Sequence, residues 1–134
     1  IESGRAFDKF LKFVKAQGGD VEYILHPEKF ELAQHIVEVR SSSQGYIQKI
    51  NALEIGESAM RLGAGRATLE DVIDMSAGIV LTKKVGDYVS KDDVICVVHT
   101  NKDNYETIIE DIKSAYAIVK DEVKTHPVVH EIVQ

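Results

Sequence analysis

The sequence has 134 residues, with 16 Lys and Arg against 22 Asp and Glu for a net charge of -6. That length suits one compact domain, or a domain with a short extension, and roughly two thirds of the unfolded surface can be buried without disulfides. The acidic balance opposes a nucleic-acid partner, which needs a basic face for phosphates, and no apolar run approaches a membrane span, so neither partner is expected. The single cysteine, Cys96, excludes an intrachain disulfide, and its context "VICVV" reads as a small buried hydrophobe rather than a reactive thiol. This usage fits a reducing, cytoplasmic setting. The chain opens on Ile1 without a signal-peptide pattern and reads as an excised or processed piece.

Residues 3–17 predict a helix, because Phe7, Phe10, Leu11 and Val14 recur at helical spacing while Asp8, Lys9, Lys12 and Lys15 lie off that stripe. Ser3 is placed to cap its start and Gly18-Gly19 to end it. Asp20 can cap a further turn through Leu25, before His26-Pro27 breaks the pattern. Phe7, Phe10, Phe13 and Phe30 make this start aromatic and in need of a partner.

"HIVEVR" at 35–40 and "YIQKI" at 46–50 predict two strands joined by the turn material "SSSQG". "NALE" at 51–54 has the form of a capping box, opening a helix that ends at Gly63. "TLED" at 68–71 predicts a short capped turn. Strands are expected over 78–85 and 94–99, a second long helix over 104–119 and a last strand over 128–133. The stretches "QGYIQKINALEIG" and "AGIVLTKKVGDYV" echo each other, suggesting two related β corners in one small barrel-like sandwich. Hairpin-like strand pairs between helices predict an α+β fold with an antiparallel or mixed sheet.

The segment "RLGAGRATLEDV" at 61–72 looks at first like a phosphate loop. A dinucleotide fingerprint needs a preceding strand and a third glycine, and a P-loop needs Gly-Lys-Ser/Thr; neither pattern is present. The simpler reading is a helix end at Gly63, a tight turn at Gly65, and Arg66 paired with a carboxylate elsewhere. The five histidines, His26, His35, His99, His126 and His130, show no metal-ligand spacing, so no metal is expected. Asp71 with Asp74, and Asp92 with Asp93, read as acidic turns rather than catalytic pairs.

"KVGDYVSKDDVICVVHTNKD" resembles half of a biotinyl or lipoyl carrier domain, with Lys102 in the position of the cofactor-bearing lysine. Against this, the carrier lysine belongs between two strands, whereas Asn104 onward reads as helix. A third possibility is a non-catalytic interaction module that uses the phenylalanine-rich first helix.

A longer resemblance covers nearly the whole chain. "SGRAFDKFLKFVKAQGGD" at 3–20, "GYIQKINALEIG" at 45–56, "LGAGRATLEDVIDMSAGIVLTKKVGDYVSKDDV" at 62–94 and "HTN" at 99–101 run in the order of the C-terminal third of the pyrimidine-nucleoside phosphorylase and thymidine phosphorylase family. "KDD" at 91–93 stands where a Lys-Gly-Asp/Glu turn is more typical. The resemblance implies a pentosyltransferase of pyrimidine salvage that cleaves a nucleoside with inorganic phosphate into free base and pentose 1-phosphate. It implies a homodimer, with the active site between a small helical domain and a large α/β domain. The family's phosphate loop, of Lys-x-Ser-x-Gly-Gly type, is not in these residues, so no catalytic residue and no cofactor are assigned here. The implied module is α/β-hammerhead-like over 34–134, preceded by a helical segment at 1–33 belonging to the edge of the large domain. Its expected partners are the N-terminal domains of the same enzyme. Its candidate inter-domain loop comprises Gly63, Gly65, Arg66, Thr68 and Asp71, with a structural and cleft-closing role.

Overall fold

The computed structural model describes residues 1–125, 127 and 131–133. These divide into two compact units, Ile1–Leu32 and Ala33–Gln134.

In the first unit, helix α1 (Arg5–Ala16) is followed by the short α2 (Glu22–Leu25) and one 3-10 turn at Pro27–Lys29. Gly4, rather than Ser3, sits at the start of α1 and makes no side-chain cap. Gly18 takes the left-handed φ of 80° that ends the helix. Val21, rather than Asp20, takes the cap position of α2, and the Asp20 Oδ1 accepts the Glu22 N–H at 2.9 Å from one residue earlier. Phe7, Phe10, Phe13 and Phe30 all remain exposed.

The second unit carries two antiparallel sheets. Strands β1 (His35–Arg40), β5 (Val94–Thr100) and β3 (Gly78–Leu81) form one, in the order β1-β5-β3. Strands β4 (Tyr88–Val89), β2 (Gly45–Ile50) and β6 (Tyr116–Val119) form the other, in the order β4-β2-β6. Helix α3 (Ala52–Ala59) and helix α4 (Glu106–Ser114) complete the unit. The fold is therefore α+β with two small antiparallel sheets. Its core draws on both sheets and the second helix: Val39, Ile47, Val89, Ile95, Cys96, Val98, Ile112 and Tyr116 pack with Leu62 into one cluster. Tyr116 Oη donates to the Ile95 carbonyl at 3.3 Å and so links one sheet to the other. Burial pushes the Cys96 thiol up to about 11, as expected of an inert core cysteine.

Several expectations change. Consecutive strands do not form hairpins: β1 and β2 lie in different sheets, each paired with strands much later in the chain. The second echoing stretch is itself divided, giving β3 to one sheet and β4 to the other, where β4 pairs with the β2 of the first stretch. The second long helix stops at Ser114, because residues 116–119 pair with β2 as β6, from Ile50↔Tyr116 to Tyr46↔Val119. The capping box does not close, because the Ala115 carbonyl takes the Asn51 N–H at 2.9 Å, the group Glu54 would have bonded. The strand expected over 128–133 falls partly outside the described residues, and residues 131–133 are not in a strand.

Gly45 shows why β2 needs a glycine. Its φ is 145°, and an added Cβ would run into the Val119 carbonyl of β6.

Candidate functional site

Helix α3 runs into a wider turn at Met60–Ala64, within which Gly63 has φ 116° and reverses the chain. A Cβ there would lie 3.3 Å from the Asp74 Cβ, so both the turn and its neighbour call for glycine. Gly65 is extended and abuts Met60, where a Cβ would approach the Met60 side chain at 3.1 Å. From here to Gly78 the chain is an irregular loop held by its aspartates. Asp71 Oδ2 accepts the N–H groups of Ala67 at 2.9 Å and Thr68 at 2.8 Å. Those two backbone donors hold the Asp71 carboxyl below the usual aspartate range. The expected cap at Thr68 is thus supplied from the other end of the motif, by Asp71.

Asp74 closes the base of the loop. Its Oδ1 accepts from Ser76 Oγ at 2.7 Å and Ser76 N–H at 2.9 Å, and its own N–H donates to the Gly63 carbonyl at 2.9 Å. The Ser76 hydroxyl and N–H lower its pKa. Asp71 and Asp74 therefore serve as turn braces, as does Asp93, whose Oδ2 accepts the Ser90 N–H at 2.9 Å.

Three consecutive residues at the end of β5 fasten this loop. Thr100 Oγ1 donates to the Leu62 carbonyl at 2.7 Å. Asn101 Nδ2 donates to Asp74 Oδ2 at 2.8 Å and to Ser76 Oγ at 3.1 Å. Lys102 Nζ donates to the Arg61 carbonyl at 2.8 Å. A cleft of about 590 Å³ lies alongside, lined in part by Met60, Gly65, Asp71, Val72, Lys102 and Ile108.

The structure brings Gly63, Gly65 and Asp71 to the wall of that cleft, with Asp71 at the neck of the loop that carries Arg66 and Thr68. Arg66 is exposed and makes no ion pair among the described residues, in contrast to the expected carboxylate partner. It is Arg61 that pairs, with Asp111 Oδ2 at 2.6 Å. Beyond the expected set, the loop holds three apolar side chains out in solvent: Leu69 is 90% exposed, Val72 89% and Met75 91%. Lys102 lies between β5 and α4 and is bonded to backbone, so it is not the free tip of a strand-to-strand turn that a carrier domain requires. His35 contacts Asp103 at 3.2 Å and His26 contacts Glu28 at 3.1 Å. His126 and His130 lie outside the described residues. Among the described residues, no three of His, Cys, Asp or Glu gather as a metal-ligand set.

Comparison with known proteins resolves the family. The model of the pyrimidine nucleoside phosphorylase C-terminal domain matches residues 46–119, more than half of the chain, a range that takes in β2 from its second residue through β6, with α3 and α4. The chain belongs to this family. It is 38% identical over 133 residues to a pyrimidine-nucleoside phosphorylase of Staphylococcus aureus (strain bovine RF122 / ET3-1), covering 99% of this chain and 30% of that relative. The same figures hold for the pyrimidine-nucleoside phosphorylases of Staphylococcus aureus strains USA300 and NCTC 8325 / PS 47. The chain thus spans about 30% of the length of these curated relatives. The family match takes in strands of both sheets, α3, α4 and the braced loop between α3 and β3; the carrier reading is not favoured.

Proposed function

We propose that this chain is the C-terminal module of a cytoplasmic, homodimeric pyrimidine-nucleoside phosphorylase, and that its loop at 63–77 docks on the rest of that enzyme. The parent reaction is the phosphorolysis of a pyrimidine nucleoside to free base and pentose 1-phosphate. On this reading residues 1–33 form the edge of a large α/β domain. The two sheets with α3 and α4 constitute an α/β-hammerhead over 34–134. Gly63, Gly65 and Asp71 shape a loop whose Arg66 and Thr68 face the neighbouring domain and help hold its cleft closed.

The observation that carries this proposal is the exposure of Leu69, Val72 and Met75 on a loop braced by Asp71 and Asp74. A loop with no function would gain by turning such side chains inward or replacing them with polar ones; a braced loop presenting three exposed apolar side chains fits an interface. Phosphorolysis needs a phosphate cradle and stabilisation of a sugar that develops positive charge. Neither Lys102, committed to the Arg61 carbonyl, nor exposed Arg66 makes such a cradle alone.

The test measures release of free base from uridine or thymidine with phosphate. The 134-residue chain alone is expected to be inactive, and a longer polypeptide that includes the phosphate loop is expected to be active. In that polypeptide Arg66→Ala should lower turnover while leaving the thermal midpoint unchanged. Parent-like turnover by the 134 residues, or unchanged kinetics in the Arg66 variant, would overturn the corresponding part of the proposal.

A further inference from the structure

Asn101 uses both ends of its amide at once. While Nδ2 bonds Asp74 and Ser76, Oδ1 accepts the backbone N–H of Gln34 at 2.7 Å. The orientation of the amide follows from its partners: a backbone N–H can only donate, and the Asp74 carboxylate, with its pKa lowered, can only accept. Gln34 is the second residue of the second unit, and its neighbour Ala33 is buried. A single side chain therefore holds together the point where the chain enters this unit and the base of the braced loop. The flanking bonds from Thr100 to Leu62 and from Lys102 to Arg61 fix the backbone from which it reaches.

We propose that Asn101 is a positioning residue that couples the entry segment at Ala33-Gln34 to the 63–77 loop, so that the two shift together. The consequence for turnover rests on the inter-domain reading of the loop; the coupling itself does not. Aspartate at this position would keep an acceptor for Gln34 but lose the donor to Asp74 and set two carboxylates against each other. Exchanging the two side chains, Asn101→Asp with Asp74→Asn, restores one donor and one acceptor across the same gap, and the new amide can still accept from Ser76.

The coupling is tested by amide hydrogen exchange on the 134-residue chain. Asp74→Ala removes the shorter of the two loop contacts of Asn101, and the carboxylate that holds the Ser76 hydroxyl for the other, without touching Gln34. Coupling predicts that the Gln34 amide exchanges about tenfold faster in this variant, together with the amides of 67–76. If only the loop amides speed up, Asn101 is a local brace and the proposal fails. Asn101→Asp should likewise loosen the loop, and the exchanged pair should recover slow exchange; a pair no slower than Asn101→Asp alone would overturn the assignment. In the longer polypeptide the same series should lower and then recover kcat by about tenfold, with KM little changed. An inactive wild-type polypeptide would count against the phosphorylase reading, and the exchange result would still decide the coupling.

Discussion

The hydroxyl of Thr100, fully buried at the end of β5, donates to the carbonyl of Leu62, which lies within the Met60–Ala64 turn that leads into the braced loop. That carbonyl belongs to a residue whose side chain is also wholly buried. The hydrogen bond therefore joins a strand end to a helix end in a place that water does not reach.

Thr100→Val keeps the shape of the side chain but removes a hydroxyl that donates to the Leu62 carbonyl and accepts the Lys102 N–H at 3.1 Å, leaving both groups without that partner. It is expected to destabilise the chain by about 1–3 kcal/mol, measured by urea denaturation. Thr100→Ser, which retains the hydroxyl, should lose less than half as much. An unaltered midpoint in the valine variant would show that the bond contributes nothing.

Asp92 has a left-handed φ of 69°, a backbone conformation that glycine adopts at less cost. The turn nevertheless holds, since the Asp92 N–H donates to the Ser41 carbonyl at 2.9 Å and its carbonyl accepts from Arg40 Nη1 at 2.7 Å. Both bonds use backbone atoms and would survive a change of side chain. Asp92→Gly relieves the conformational cost and is expected to stabilise the chain by about 0.5–1 kcal/mol, after allowing for the freer unfolded state. A lower thermal midpoint for the glycine variant would contradict this.

The exposed edge of the loop gives a test that separates folding from docking. Replacing Leu69, Val72 and Met75 together by serine removes apolar surface that already stands in water. The stability of the 134-residue chain should change by no more than about 0.5 kcal/mol. In the longer polypeptide the same triple change should weaken turnover well beyond the effect of Arg66→Ala. A large loss of stability in the short chain would mean that these side chains pack internally after all.

Several elements could be read directly from the sequence because their signal is local. The helical stripe of Phe7, Phe10, Leu11 and Val14 announced α1, and the alternation of "HIVEVR" announced β1. β6 was hidden because Ile112, Ala115, Tyr116 and Val119 continue a helical spacing; only the β-branched Ile118 and Val119 pointed elsewhere, and pairing with β2 decided the matter. The loop braces were partly legible, since Gly63 and Asp71 carry turn chemistry in their own residue types. The link from Asp74 through Asn101 to Gln34 was not, because its members are 27 and 67 positions apart and such polar contacts have no period. The exposed apolar residues have a signal in the sequence: Leu69, Val72 and Met75 sit among turn-forming residues, in a stretch too irregular to bury them.

The strand order has a consequence for the birth of the chain on the ribosome. β2 has no partner until β4 at Tyr88–Val89 has been made, and β1 has none until β5 at Val94–Thr100 follows. β6, which covers the other side of β2, comes later still. For most of its synthesis this module is therefore a set of sticky single strands awaiting distant mates. Folds dominated by such remote pairings close slowly, commonly on a timescale of about milliseconds to seconds. Any nascent-chain protection this polypeptide needs falls in the interval before β6 emerges.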